Sequence, residues 1–277
     1  MERRYYWIIN VMYIVLFPTW LLLKAASLGF DVGFSWQMEA DMLAKVPAEF
    51  VVINSILLFS AAAVLLIIGL SLLGKFLSNK KDTPLLLATM NIVLAGGLTW
   101  DGIRKYTTFT SEVFRNAVEA VIFIFLSWTI IMLFLFLQEI FTGTLKFKDH
   151  AISQTIFAVL NACAVFFFMG WPALMPVLVS TYVAYFFMIA IIIPLGTWQF
   201  RATYALVKRT TDKWAKRGLS MIGYSAIFYL SALGTVAFKK VYFPLDLLLS
   251  ILLLCMSVMM YFGFVRPSKA AAKTGPP

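Results

Sequence analysis

The chain has 277 residues, 62% hydrophobic and 13% charged, against about 45–50% apolar and about 25% charged in a soluble domain, which excludes water as its main solvent. The formal net charge of +10 reads, in so apolar a chain, as a membrane-topology signal rather than an affinity for nucleic acid, and no nucleic-acid partner is expected. One histidine and two cysteines, Cys163 and Cys255, both inside apolar runs, argue against a disulfide framework and against haem, di-iron or multi-histidine zinc sites, so no cofactor and no metal is expected.

Eight apolar segments of 17 to 25 residues follow in order: Trp7 to Leu23, Val51 to Leu73, Pro84 to Trp100, Ala120 to Leu137, Ala151 to Gly170, Leu174 to Leu195, Leu219 to Phe238 and Val241 to Val265. About 20 apolar helical residues cross a hydrocarbon core, so each is read as a membrane span. Arg3 and Arg4 precede the first, and Ala25-Ala26-Ser27 follows it, as in a secretory signal. Its length, Pro18 and Lys24 favour an uncleaved span. The third contains Asn91, Gly96 and Gly97, which membrane helices tolerate where a neighbour packs closely. The fifth and sixth, separated by Gly170-Trp171-Pro172, form a helical hairpin.

The prediction is therefore an all-α, polytopic transmembrane helical bundle of eight spans, or seven if the first segment is cleaved, with one domain over residues 1–265 and a flexible cytoplasmic tail over 266–277. With the N-terminus inside, sixteen of the 23 basic residues face the cytoplasm. The positive-inside rule then sets both termini of the intact chain in the cytoplasm of a cell membrane.

Ionisable groups at membrane depth are costly, and they are the first functional candidates. Glu112, Arg115 and Glu119 precede the fourth span at spacings that share one face if the helix reaches them. Asp101, Arg104 and Lys105 follow the third span at similar spacings, Lys239 ends the seventh, and Asp246 opens the eighth after Pro244. All fall on the outer side. One reading joins Asp101, Arg104, Glu112, Arg115, Glu119, Lys239 and Asp246 in a polar vestibule for a ligand; the other takes them as local ion pairs and interfacial anchors. Asn54, Asn91 and Asn161 are candidates to line a pocket, because an amide at depth must find a partner. Other in-span polar residues, Ser127, Ser225 and Tyr229 among them, read as packing contacts between helices.

The cytoplasmic segment Arg201 to Gly218 carries six basic residues with Tyr204 and Trp214. It suits anionic lipid headgroups, or else a cytoplasmic or membrane protein partner. The sequence contains no HExxH, GxSxG, Walker or EF-hand pattern, and no mid-membrane carboxylate pair. Catalysis is not expected.

Four features resemble the heptahelical membrane modules of archaeal and bacterial sensor proteins: a basic loop leading to Pro84-Leu85-Leu86-Leu87, a span ending in Leu137-Gln138-Glu139, a basic run before Gly218-Leu219, and the closing run Tyr261 to Pro267. The resemblance implies sensing of a ligand or of the membrane's state, passed to a separate partner. The competing classes are a transporter or channel for a small solute, ion or lipid, and a structural subunit of a membrane complex. A pathway for transport predicts Asn54, Asn91, Asn161 and Glu119 converging on one hydrated cavity. A receptor predicts a dry core beneath an outward-facing polar cluster.

Overall fold

The computed structural model describes residues 3–28, 43–79, 82–106, 112–142, 147–168, 177–236 and 242–264. Gly170-Trp171-Pro172, Lys239 and the tail lie outside them, as does most of the loop between the first two spans. The described chain is α-helical almost throughout. Helix α1 comprises Arg3–Val11, a π-helical stretch Met12–Leu16, and Phe17–Leu28. It is followed by α2 (Ala48–Asn79), α3 (Asp82–Tyr106), α4 (Glu112–Thr142), α5 (Phe147–Phe168), α6 (Val177–Arg209), α7 (Lys213–Val236) and α8 (Phe243–Phe264).

Local chemistry explains the boundaries. Asp82 lies in the first turn of α3, and Arg104 and Lys105 in its last, each matching the nearby partial charge of the helix dipole. Asp212 caps α7 through its carboxylate oxygens, which accept from the backbone N–H groups of Trp214 at 3.2 Å and Ala215 at 3.1 Å. In α1, Pro18 has no N–H to donate and its ring crowds the carbonyl of Ile14 four residues back, inside the π stretch. In α5 the backbone of His150 leaves the helical region at φ −132°, ψ 20°, kinking the first turn. Pro194 is interior to α6 rather than at its end, because that helix continues to Arg209.

Among the described residues six helices are long and apolar enough to cross a membrane: α2, and the stretches Asp82–Lys105 of α3, Ala120–Ile140 of α4, His150–Phe168 of α5, Tyr182–Arg209 of α6 and Phe243–Gly263 of α8. Tyr6–Leu21 of α1 is apolar but shorter. The seventh expected span forms helix α7, whose first turns carry Lys213, Lys216 and Arg217 ahead of the apolar stretch. The protein is an all-α helical bundle embedded in a membrane. Outward-facing apolar side chains repeat at helical spacing, as with Phe186, Ile189 and Ile193 of α6, which are 68%, 41% and 55% exposed. A soluble monomer does not present such faces; lipid covers them.

The helices close a ring. Each of α2 to α8 packs on its neighbour in sequence, and α8 returns to pack on α2. Helix α1 lies outside this seven-membered ring, against α4. That extra layer shows in the burial of α4, where 72% of the apolar stretch is buried against 28% in α5. Every residue from Ile130 to Gln138 is buried, on all sides of the helix.

Small residues set the close approaches. A Cβ on Gly69 of α2 would stand 2.6 Å from the Ile92 side chain and 3.2 Å from the Ala88 carbonyl of α3. The paired glycines Gly96 and Gly97, which could have marked an interrupted helix, sit in a continuous α3, where each added Cβ would come within 3.1 Å of Phe125 on α4. They are packing notches of the kind membrane helices use.

Two boundaries correct the sequence reading. The basic segment Arg201 to Gly218 is not a loop. It forms the last turns of α6 and the first of α7, joined by residues 210–212. Helix α4 begins at Glu112 rather than near Ala120, so Glu112, Arg115 and Glu119 do share one helix.

Candidate functional site

The polar residues that end α3 face inward. Asp101, Arg104 and Lys105 are all buried, with Asp246 from the first turn of α8 and Asn54 from the second turn of α2. Gly102 lets α2 come this near, since a Cβ there would meet the Phe59 ring at 2.8 Å.

Lys105 is the hub. Its Nζ donates to both oxygens of Asp246, at 2.7 Å to Oδ1 and 2.6 Å to Oδ2, and lies 4.0 Å from Asp101 Oδ2. Arg104 donates to Asp101 Oδ1 from its Nε at 3.1 Å and its NH2 at 2.7 Å. Asn54 Nδ2 donates to Asp246 Oδ2 at 2.6 Å. The side chains of Lys105 and Asp246 are each 1% exposed. Ions removed from water this completely persist only when paired and hydrogen-bonded. Among the described residues two carboxylates here meet two cations, and their charges balance. It ties α2, α3 and α8 together at one end of the ring.

A cavity of about 90 Å³ lies between α3, α4, α7 and α8, with Asp101 in its wall. Leu94, Gly97, Leu98, Ile122, Leu126, Ala232, Leu249 and Leu253 make the rest of that wall apolar, and Tyr229 completes it. A second cavity of about 30 Å³ shares Leu94 and Tyr229 and adds Thr129, Gln199 and Ser225 with methionines of α3 and α8. The two lie in series through the ring, with Tyr229 common to both. The Tyr229 hydroxyl is buried and has no hydrogen-bond partner among the described residues.

Of the proposed vestibule residues, the fold brings together Asp101, Arg104 and Asp246, and adds Lys105 and Asn54. The side chains of Glu112, Arg115 and Glu119 lie outside the described residues, although their helix starts beside this end of α3. Lys239 lies outside them altogether.

The three asparagines do not converge. Asn54 serves Asp246, and Asn91 donates to the Leu87 carbonyl of its own helix at 2.7 Å. Asn161 belongs to a third group, where its Nδ2 donates to Tyr13 Oη of α1 and to the Ser127 carbonyl of α4, and Ser127 Oγ donates to Asn161 Oδ1 at 2.9 Å. This triad joins α1, α4 and α5, and the Tyr13 ring stacks on Trp128 at 5.7 Å. None of the three asparagines lines either cavity.

Sequence reasoning underweighted two residues. In the sequence Lys105 belongs to a local cluster, and nothing there tells that it reaches Asp246, 141 positions away. Tyr229 reads in sequence as a packing contact; its missing partner is visible only once the helices are assembled.

At the opposite end, Gln154 donates to Gln138 across α5 and α4 at 2.9 Å. Arg201, Lys208, Arg209, Lys213, Lys216 and Arg217 are exposed, as are Tyr204 and Trp214, and Lys208 Nζ lies 4.5 Å above the Tyr204 ring. Among the described residues no three His, Cys, Asp or Glu side chains gather to hold a metal. No protein-family model, curated protein or solved structure matches the chain.

Proposed function

We propose that the protein is a non-catalytic, receptor-like seven-helix module of the cell membrane, accompanied by α1, that senses a ligand or membrane state and signals through a separate protein partner. The observation that supports this reading is the buried, ion-paired cluster of Asp101, Arg104, Lys105 and Asp246 beside an apolar cavity. A transport pathway needs polar groups lining a hydrated route at the midplane. Here the three in-span asparagines are spread among three separate hydrogen-bond groups, and α3 is unbroken.

Both termini lie in the cytoplasm in this reading, following the distribution of lysine and arginine. The exposed basic and aromatic side chains at the junction of α6 and α7 rest against anionic lipid headgroups, each basic residue contributing about 1 kcal/mol. The ion-paired cluster then faces outward. The partner supplies the output, since this chain's described residues form helices and short connections alone.

Affinity purification from native membranes in mild detergent, with mass spectrometry, tests the proposal. A partner recovered in fixed stoichiometry is expected. A protein that purifies alone and supports solute flux in reconstituted vesicles would replace this reading with transport.

A further inference from the structure

We infer that the axial cavity is a binding site for a small, uncharged, mainly apolar molecule carrying one hydroxyl or carbonyl group, which pairs with the hydroxyl of Tyr229. This rests on the receptor reading above, to which it supplies the ligand class.

Three features of the site select that chemistry. The first is room: about 90 Å³ exceeds the roughly 10–15 Å³ that a single water needs. The second is the wall. Asp101 and Tyr229 are its only polar side chains among the described residues, whereas a buried water wants two to four polar partners. Asp101 is already engaged by Arg104. An apolar body loses nothing in such a space, and water gains little.

The third feature is an unmet demand. Leaving a buried hydroxyl without a partner is unfavourable, yet Tyr229 is 6% exposed with its Oη unpaired among the described residues. A carbonyl or hydroxyl on the ligand removes that penalty only in the bound state. Among the described residues Asp101, Arg104, Lys105 and Asp246 sum to zero charge, which favours an uncharged ligand over an ion.

The full-length protein, purified in mild detergent, is labelled with a diazirine analogue of 1-hexanol, and adducts are mapped by mass spectrometry with unmodified hexanol as competitor. Saturable adducts on Leu94, Leu98 or Leu253 are expected. Leu94→Trp, which fills the space, removes them. Tyr229→Phe weakens labelling about five- to tenfold, the value of one neutral hydrogen bond.

Tyr229→Phe also provides an internal check, because an unpaired hydroxyl can be deleted without loss of stability. A clear drop in its thermal stability means that water already holds the hydroxyl, and overturns the proposal. Adducts confined to lipid-facing residues such as Phe186 and Ile193, or labelling unchanged in Tyr229→Phe, overturn it as well. A saturable site in a protein that purifies without a partner would leave this inference standing and remove the signalling role.

Discussion

The buried charges ask the sharpest question at the scale of single residues, because their net value depends on every partner being present. Lys105 and Asp246 are each 1% exposed and bonded to one another at 2.6 Å. Replacing Asp246 with leucine leaves the ammonium facing Asp101 at 4.0 Å and takes away the acceptor of the Asn54 amide. Loss of one member of a buried pair costs about 3–5 kcal/mol. Replacing both with apolar residues of similar volume is often neutral. Asp246→Leu and Lys105→Met are therefore each expected to lower the thermal unfolding midpoint in detergent strongly, and the double variant to recover most of that loss. Equal losses in singles and double would mean that the pair does not act as a unit. The sequence placed Asp101, Arg104 and Lys105 on one turn because their spacing is local. Their union with Asp246 and Asn54 could not be read from it, since it depends on which helices become neighbours.

Helix packing turns on glycines of opposite kinds. Gly69 lies against α3, where a Cβ would press within 3.2 Å of the Ala88 carbonyl; backbone cannot move aside as a side chain can. Gly74, on the same helix, has nothing within 4 Å of the added carbon. Gly69→Ala is expected to destabilise by about 1–3 kcal/mol through overpacking. Gly74→Ala should stabilise by roughly 0.5–1 kcal/mol, because alanine loses less chain entropy in a helix. Thermal scans of the two variants side by side check the contrast, which a uniform glycine effect would erase.

The same scale settles how α1 is held. Tyr13 sits in the π-helical stretch, accepts from Asn161 Nδ2, and lies 2.9 Å from Ser127 Oγ. A π turn widens the ladder and redirects side chains, and it often marks a functional contact. Tyr13→Phe leaves the Asn161 amide short of an acceptor, a cost of about 1–3 kcal/mol. It should speed hydrogen exchange across α1 while exchange in α2 and α8 stays as before. Equal acceleration in all helices would mean that α1 and the ring unfold together. Periodicity and length made α1 visible as an apolar segment. The π stretch could not be inferred, because Pro18 signals only that the ladder is disturbed nearby.

For the whole molecule, hydropathy carried most of the architecture: among the described residues six of the eight expected spans meet the length and apolarity needed to cross a membrane. What it could not supply was the ring. Order around the ring comes from which small residues permit contact, and the pairing of α8 with α2 is not encoded in either segment alone. The long α6 and the basic start of α7 also escaped it, because a helix that leaves the hydrocarbon stops looking apolar while its backbone bonds continue. At 33 residues, α6 spans about 50 Å at 1.5 Å per residue, against a core of about 30 Å, so one end must stand among headgroups or beyond. The basic residues there identify the end. Lysine and arginine accumulate on the cytoplasmic side, and the proposed topology accordingly sets the junction of α6 and α7 inside and the start of α8 outside. Thr211 and Tyr242 are exposed at those two places, and Cys163 and Cys255 are the only native thiols. In a Cys163→Ala, Cys255→Ala background, a membrane-impermeant maleimide added to intact cells should label Tyr242→Cys at once and Thr211→Cys only after permeabilisation. The reverse order would invert the topology, turn the ion-paired cluster toward the cytoplasm, and move any ligand that enters beside Asp101 to the interior of the cell.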